Sequence, residues 1–551
     1  MRHYFPLLLI LLPVTAHAQR PASMAGRSAV YAPNGIVATS QPLATAAGLA
    51  VLQKGGNAID AAVAAAATLS LVEPHMTGMG GDLFAIVWSA RDRKLYGLNA
   101  SGRSGSLMTR EELVKRGRRG ISGVESITVP GALSGWQALL ERFGTLKLAD
   151  VLAPVIAHAE NGFPVTPIIA REWQAEEDEL RRDPGAAATF LLAGQRAPRS
   201  GDWFRNPDYA RTLRSIASGG PGVLYGGELG RRVADHLQQQ GGFITLADLQ
   251  RHAVEWIDPI SVPFRGYQLW ELPPNGQGIA ALEMLRILDG YDLKSMGHNS
   301  ATYLHHLIEA KKLAYADLEE FVADPATMRI KPSMLLDDGF IASRRKQLDP
   351  NRAAERVDPG APITASETIY LTATDAQGNM ISFINSLYSA FGSGVVVPGT
   401  GFALQNRGSG FTLEEGHVNV VAPRKRPMHT IIPAFVTRTD NGVEEPFMSY
   451  GVMGGAMQPQ GHVQVLLNLL VFGMDIQQAI DAARFRHTAG RRVALESAVG
   501  DDVRRQLTAL GHEITPEASL NAFGGAQAIL KLIKGWVAGS DPRKDGMAAG
   551  H

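Results

Sequence analysis

The chain has no cysteine. That excludes disulfides, thiolate zinc sites, a thiol nucleophile and a lipidated-cysteine anchor, so any hydroxyl or carboxylate chemistry must do without sulfur. It also lacks a charge excess: Lys+Arg and Asp+Glu both number 53, and no global field draws it to nucleic acid or to an anionic membrane. The basic clusters Lys115-Arg116-Gly117-Arg118-Arg119 and Arg344-Arg345-Lys346 read as solvated faces. No HExxH or comparable ligand spacing occurs, and adjacent His305 and His306 point to different faces of one helix. No metal and no cofactor are expected. Past the N-terminus no run is long and apolar enough to span a bilayer, so stable membrane insertion is not expected.

What is present describes a packed α/β protein. Of 551 residues 45% are apolar, 19% charged and 59 glycine, enough chain for two lobes or for two halves of one large unit. No internal repeat of solenoid length is evident. Residues 1–18, "MRHYFPLLLILLPVTAHA", have a basic start, an apolar core and an Ala16-x-Ala18 end. They read as a secretory signal peptide, which places the mature protein in the periplasm or outside the cell.

From Ser40 the sequence reads as two helices. Ser40 is the expected N-cap with Pro42 in the first turn, Gly55-Gly56 ends the first helix, and Asn57 opens a buried Ala-rich second one. The glycine loop "TGMGGD" precedes a strand rather than opening a helix, so a phosphate cradle is disfavoured. A charged turn at Arg91-Asp92-Arg93 joins that strand to the next. Val129 to Leu348 reads as mostly helical. The polar stretch "NRAAERVDPGAPITAS" reads as an exposed connection, after which the chain turns strand-rich, including "GVVVPGTGFALQNRGSGF", "TIIPAFVTR" and "PFMSYGVMGG". It becomes helical again at "PQGHVQVLLNLLVFGMDIQQAIDAAR".

Within the strand-rich part, Ile369–Thr374 and Met380–Tyr388 form a hairpin through "DAQGN". A turn centred on Gln377 sets Thr368 opposite Ser386, within hydroxyl–hydroxyl reach. Spacing alone leaves open whether this pair serves chemistry or sits on a solvated sheet face.

These residues, with "SQPLATAAGLAVLQKGGNAIDAAVAAAATLSLVEPHMTGMGGDLFAIVW", "VPGALSGW", "AYADLEEFVADP" and "GSDPRKDGMAAG", resemble the γ-glutamyltranspeptidase family of N-terminal-nucleophile (Ntn) hydrolases over nearly the whole mature chain. The resemblance implies a four-layer αββα sandwich with a helical large-chain portion. It also implies a proenzyme that cuts itself between Glu367 and Thr368, giving a heterodimer of a large chain (19–367) and a small chain (368–551). Thr368 would be the nucleophile and, through its freed amine, its own base. Ser386 would hydrogen-bond the nucleophile, and Gly454 and Gly455 would supply the oxyanion hole. The small-molecule substrate so implied is a γ-glutamyl amide of glutathione type, hydrolysed or transferred to an amine.

The substrate positions depart from the family. The family's Asn falls on Tyr388, its Gln/Glu on Arg407, its Asp on Gly410 and its serine pair on His429-Thr430. Its large-chain Arg falls near Ser101, with Arg103 two residues on. Arg103, Arg407 and His429, with Tyr388 and Thr430, describe a pocket for an acyl group bearing a carboxylate and no ammonium. The alternative expectation is therefore an acylase or amidohydrolase of the same frame, acting on glutaryl-cephalosporin-like or oxamate-like amides. A third, distant expectation is an unprocessed periplasmic binding protein.

Overall fold

The Ala-rich stretch lets one helical layer sit close on its sheet. In the computed structural model, which describes residues 26–356, 367–517 and 519–551, every residue of helix Ala58–Val72 is buried. The signal-peptide reading of 1–18 and the connecting residues 357–366 lie outside the described residues. Helices Pro42–Gln53, Ala58–Val72 and Ala132–Phe143 cover one side of a seven-stranded antiparallel sheet. That sheet runs Met547–Gly550, Ile36–Thr39, Glu367–Thr374, Met380–Tyr388, Asp82–Ser89, Lys94–Ala100, Glu255–Ile257.

A second seven-stranded sheet lies against its other face, ordered Val30–Ala32, Trp536–Ser540, Ala526–Lys531, Val443–Val452, Ala434–Asp440, Tyr267–Glu271, Ile260–Phe264. Helices Gly278–Leu288, Ala301–Phe321 and Met457–Leu470 close the far side with their own apolar core. The layers are thus α, β, β, α. At the sheet interface Gly451 makes room for the Tyr370 ring, which a Cβ there would meet at 2.4 Å. Thr372 and Ser449 hydroxyls bond across the same interface.

Three local expectations change. Ser40 is not the first helix's cap: Gln41 is, its Oε1 accepting from the N–H groups of Leu43 and Ala44, while Ser40 donates to Glu73. A five-atom amide side chain reaching back does the work expected of a hydroxyl. Asn57 caps the second helix with Asp60 in a reciprocal capping box. The middle of the chain is not mainly helical throughout, because Glu255–Ile257, Ile260–Phe264 and Tyr267–Glu271 are edge strands of the two sheets. Their Pro-interrupted sequence hid the alternation. Conversely, residues 394–406 are loop with one isolated bridge, Val396–Ala403, and Arg407–Gly410 form a short 3₁₀ turn.

Glu172 ties the helix Pro167–Ala175 to the C-terminal segment. Its carboxylate accepts from Lys544 Nζ at 3.3 Å and bonds His75 Nε2 at 2.8 Å. The His75 and Met76 carbonyls hold the N–H groups of Phe391 and Leu387, on either side of Tyr388. Burial alone would push Glu172 up, but Lys544 and His75 outweigh it and hold the carboxyl at about 2, below its ordinary 4.5. A depressed folded-state value stabilises above the unfolded value and is lost as pH falls through the folded one. Glu172→Gln should therefore cost about 2–3 kcal/mol at pH 7, and the gap to the parent should narrow as pH falls from about 4.5 towards 2. Urea midpoints at pH 7, 5 and 3 measure this; a gap independent of pH counts against the charge argument.

Candidate active site

The hairpin at residues 367–388 pairs Ile369 with Asn385 and Thr374 with Met380, a register centred on Gln377. Asp375 fixes the turn, accepting from the N–H groups of Gln377 and Asn379 and, at 2.9 Å, from Ala58 at the start of the Ala-rich helix. The register slips at Thr368, a bulge that leaves Glu367 opposite Tyr388. A bulge re-aims one side chain, and here Thr368 Oγ1 lies 3.1 Å from Ser386 Oγ, donating to it. Both residues are completely buried, so the solvated-face alternative does not hold.

Two further donors are aimed at Ser386 Oγ, the Tyr388 N–H at 2.9 Å and Arg407 Nη2 at 3.2 Å, so three donors lie within reach of its two lone pairs. Tyr388 has φ +83°, a left-handed conformation costly for a side-chain-bearing residue. That turn of the backbone points its N–H back at Ser386. Arg407 is also fully buried; its Nη1 donates to Thr430 Oγ1 at 2.8 Å, and its guanidinium lies 4.4 Å over the Tyr388 ring. Burial lowers its pKa to about 10, which leaves it protonated at neutral pH.

The remaining positions join through residues that the sequence did not single out. Gln277 Nε2 donates to Thr430 O and Gly455 O, stitching the glycine pair to the cluster. Gly454 and Gly455 have φ +116° and +56° and hand their carbonyls to Met457 N and Gln458 N. Neither glycine's own N–H donates to any group among the described residues. Two such donors at a helix N-terminus suit a developing oxyanion.

His429 is buried and bonded through Nε2 to Asp82 Oδ2 at 2.9 Å. Burial first, then Arg407 and Arg426, hold its pKa well below the ordinary value, so it is neutral. Asp82 also accepts from Gly102 N at 2.9 Å and Gln405 Nε2 at 3.1 Å, and lies 3.9 Å from Arg407 Nε. Its own carboxyl is pushed up to about 7 by burial, against the pull of Arg407 and these hydrogen bonds. The proximity of a fixed guanidinium and the cost of leaving Arg407 alone make the ionised form the one that matters at and above neutral pH. The legible signal for Asp82 was a lone acid heading an otherwise apolar strand, "DLFAIVWS".

Arg103 stands apart. Its guanidinium, 39% exposed, pairs with Asp324 at 2.7 Å and Glu255 at 3.3 Å and donates to Arg424 O. Among the described residues no hydrogen bond or ion pair joins it to Thr368, Ser386 or Arg407. Gly80 and Gly81 lack side chains because Ala403 O and Ser386 O would lie 2.1 and 2.2 Å from their Cβ atoms.

The family model for γ-glutamyltranspeptidase matches residues 44–551. A glutathione hydrolase-like YwrD proenzyme of Bacillus subtilis is 38% identical over 94% of this chain and 98% of its own. An oxamate amidohydrolase proenzyme of Klebsiella pneumoniae is 35% identical over 94% and 98%. The crystal structure of a cephalosporin acylase from Bacillus halodurans superposes with a TM-score of 0.90 at 42% identity, covering 98% of this chain and 99% of that one. The αββα sandwich is that of an Ntn hydrolase, and the chain belongs to the γ-glutamyltranspeptidase family.

Proposed function

We propose that this is an exported, self-cleaving amidohydrolase for acyl groups that carry no α-ammonium. Thr368 Oγ attacks the Glu367 carbonyl carbon, the peptide C–N bond breaks, and the acyl group passes from nitrogen to oxygen. The departing nitrogen takes up the hydroxyl proton and becomes the free Thr368 amine; water then hydrolyses the ester, releasing the Glu367 carboxylate and restoring the Thr368 hydroxyl. In turnover that amine takes the hydroxyl proton as Thr368 attacks a substrate amide. The amine product departs, and water or a second amine removes the acyl group. The N–H groups of Gly454 and Gly455 receive the oxyanion at each stage. The C-terminal arm of residues 19–367 and the new N-terminus at 368 would remain in one heterodimer, since both sheets draw strands from either side of the cut.

The observation that carries the substrate reading is the charge balance beside Ser386. The carboxylate bonded into this cluster, Asp82, is buried and engaged by His429, Gly102 and Gln405, and Gly410 offers no side chain. A γ-glutamyl α-ammonium beside Ser386 would lie near the buried Arg407 charge with no uncommitted carboxylate bonded into the cluster among the described residues, and like charges placed together cost several kcal/mol. Glutaryl and γ-glutamyl p-nitroanilides differ in that ammonium alone. The glutaryl compound should show kcat/KM at least about tenfold higher, with an oxamyl amide as a third substrate. Equal or faster γ-glutamyl cleavage sinks the substrate assignment while leaving the nucleophile in place.

A further inference from the structure

Arg407 occupies a position where the family resemblance expects a substrate contact, yet both of its Nη groups are already engaged by protein hydroxyls. It is completely buried, one proton of each Nη is committed to a protein hydroxyl, and the Tyr388 ring covers its face. We propose that Arg407 is a positioning residue that orients the Ser386 hydroxyl toward the nucleophile, with Asp82 as its fixed counterion, and is not the anchor for a substrate carboxylate. This rests on Thr368 being the nucleophile.

The argument is one of hydrogen-bond capacity. A hydroxyl has one proton and two lone pairs. Three donors converge on Ser386 Oγ: Thr368 Oγ1, the Tyr388 N–H and Arg407 Nη2. The N–H is fixed by the backbone, and a guanidinium does not surrender its proton at working pH. Only the Thr368 hydroxyl can turn. When Thr368 gives its proton to the base, both lone pairs of Ser386 stay filled, and its own proton is directed at Thr368 Oγ, 3.1 Å away. Ser386 then stabilises the forming alkoxide.

A neutral side chain at 407 would leave one lone pair open and let the Ser386 proton turn elsewhere. Keeping a guanidinium in this dry place needs a counterion, and Asp82 is held for it from three sides by Gly102, Gln405 and His429. Asp82 heads the strand that pairs with Ser386 itself, so one backbone contact sets both groups.

The rival role, a carboxylate anchor, predicts a different pattern. Self-cleavage involves no bound substrate, so an anchor would leave it untouched and raise KM for glutaryl compounds. The experiment follows first-order self-cleavage of newly made full-length precursor for the parent, Arg407→Gln, Ser386→Ala and the Ser386→Ala/Arg407→Gln double variant. Glutaryl p-nitroanilide kinetics are then measured on whatever has matured. Arg407→Gln should slow self-cleavage and lower kcat by roughly 10- to 100-fold, as expected for a lost charge-assisted hydrogen bond, with KM within about twofold.

In the Ser386→Ala background the same change should add less than about twofold, because coupled residues are not additive. Should Arg407→Gln fail to fold, the Asp82→Asn/Arg407→Gln pair removes both charges together and should fold and cleave slowly. The proposal is overturned by parent-rate cleavage with a raised KM, or by an undiminished Arg407→Gln effect in the Ser386→Ala background. A parent that never self-cleaves removes the Thr368 nucleophile and this inference with it, whereas a cleaving parent matched by Arg407→Gln removes this inference alone.

Discussion

Thr368→Ala is expected to give one uncut chain with no amidase activity, where the parent gives two chains meeting at Glu367/Thr368. The substitution removes the hydroxyl proposed both to open the backbone and to carry the acyl group, so one change abolishes two reactions. Loss of a nucleophile costs on the order of 10⁴-fold or more in rate even where the rest of the site survives. The fold should survive: the Thr368–Ser386 hydrogen bond is worth about 1 kcal/mol, and alanine fits the space a threonine vacates. Thr368→Ser keeps the hydroxyl and should still cleave, more slowly, because the missing methyl frees the rotamer. Intact mass of the three proteins decides. A cleaved Thr368→Ala chain would move the nucleophile elsewhere and dismantle the site described here.

The hairpin register and the facing hydroxyls were legible because a β-strand has a side-chain period of two and the turn "DAQGN" fixes the phase. The Ala-rich helix was legible because small residues tolerate close neighbours. The edge strands at 255–271 were not, because Pro263 and charged positions blur an alternation that only one face requires. The site divides in the same way. Thr368, Ser386, Gly454 and Gly455 follow from local pattern and resemblance. Asp82, Gln277 and Gln405 did not, since most of their partners lie 153 to 347 residues away and a single acid or amide carries no spacing signal. Arg407 was legible as a charge, but spacing gives no burial. Its place in the family pattern faces substrate, and its commitment to Ser386 and Thr430 shows only in three-dimensional contacts.

Gly81→Ala is the second large effect expected, and it tests whether the glycine loop works as a spacer for the site. Gly81 has an ordinary φ, so alanine meets no backbone strain there; what it meets is Ser386, whose carbonyl oxygen and carbon would lie 2.2 and 2.8 Å from the new Cβ. Those are backbone atoms and cannot rotate away. On its other side Gly81 is pinned, its carbonyl accepting from the N–H groups of Gly131 and Ala132 and its own N–H donating to Gly78 O. The strand bearing Ser386 must therefore retreat by about 1 Å to reach ordinary contact, and a misplacement of that size costs roughly 100-fold in rate. Overpacking should also cost about 1–3 kcal/mol in stability. Gly120→Ala is the control, since its Cβ would meet nothing within 4 Å and its φ is not left-handed. Self-cleavage rate and thermal midpoint, measured for both, separate the outcomes. If Gly81→Ala folds and cleaves like Gly120→Ala, the loop does not set the position of Ser386. A slow but folded Gly81→Ala protein would locate the spacing of this hydroxyl in a glycine that touches no substrate.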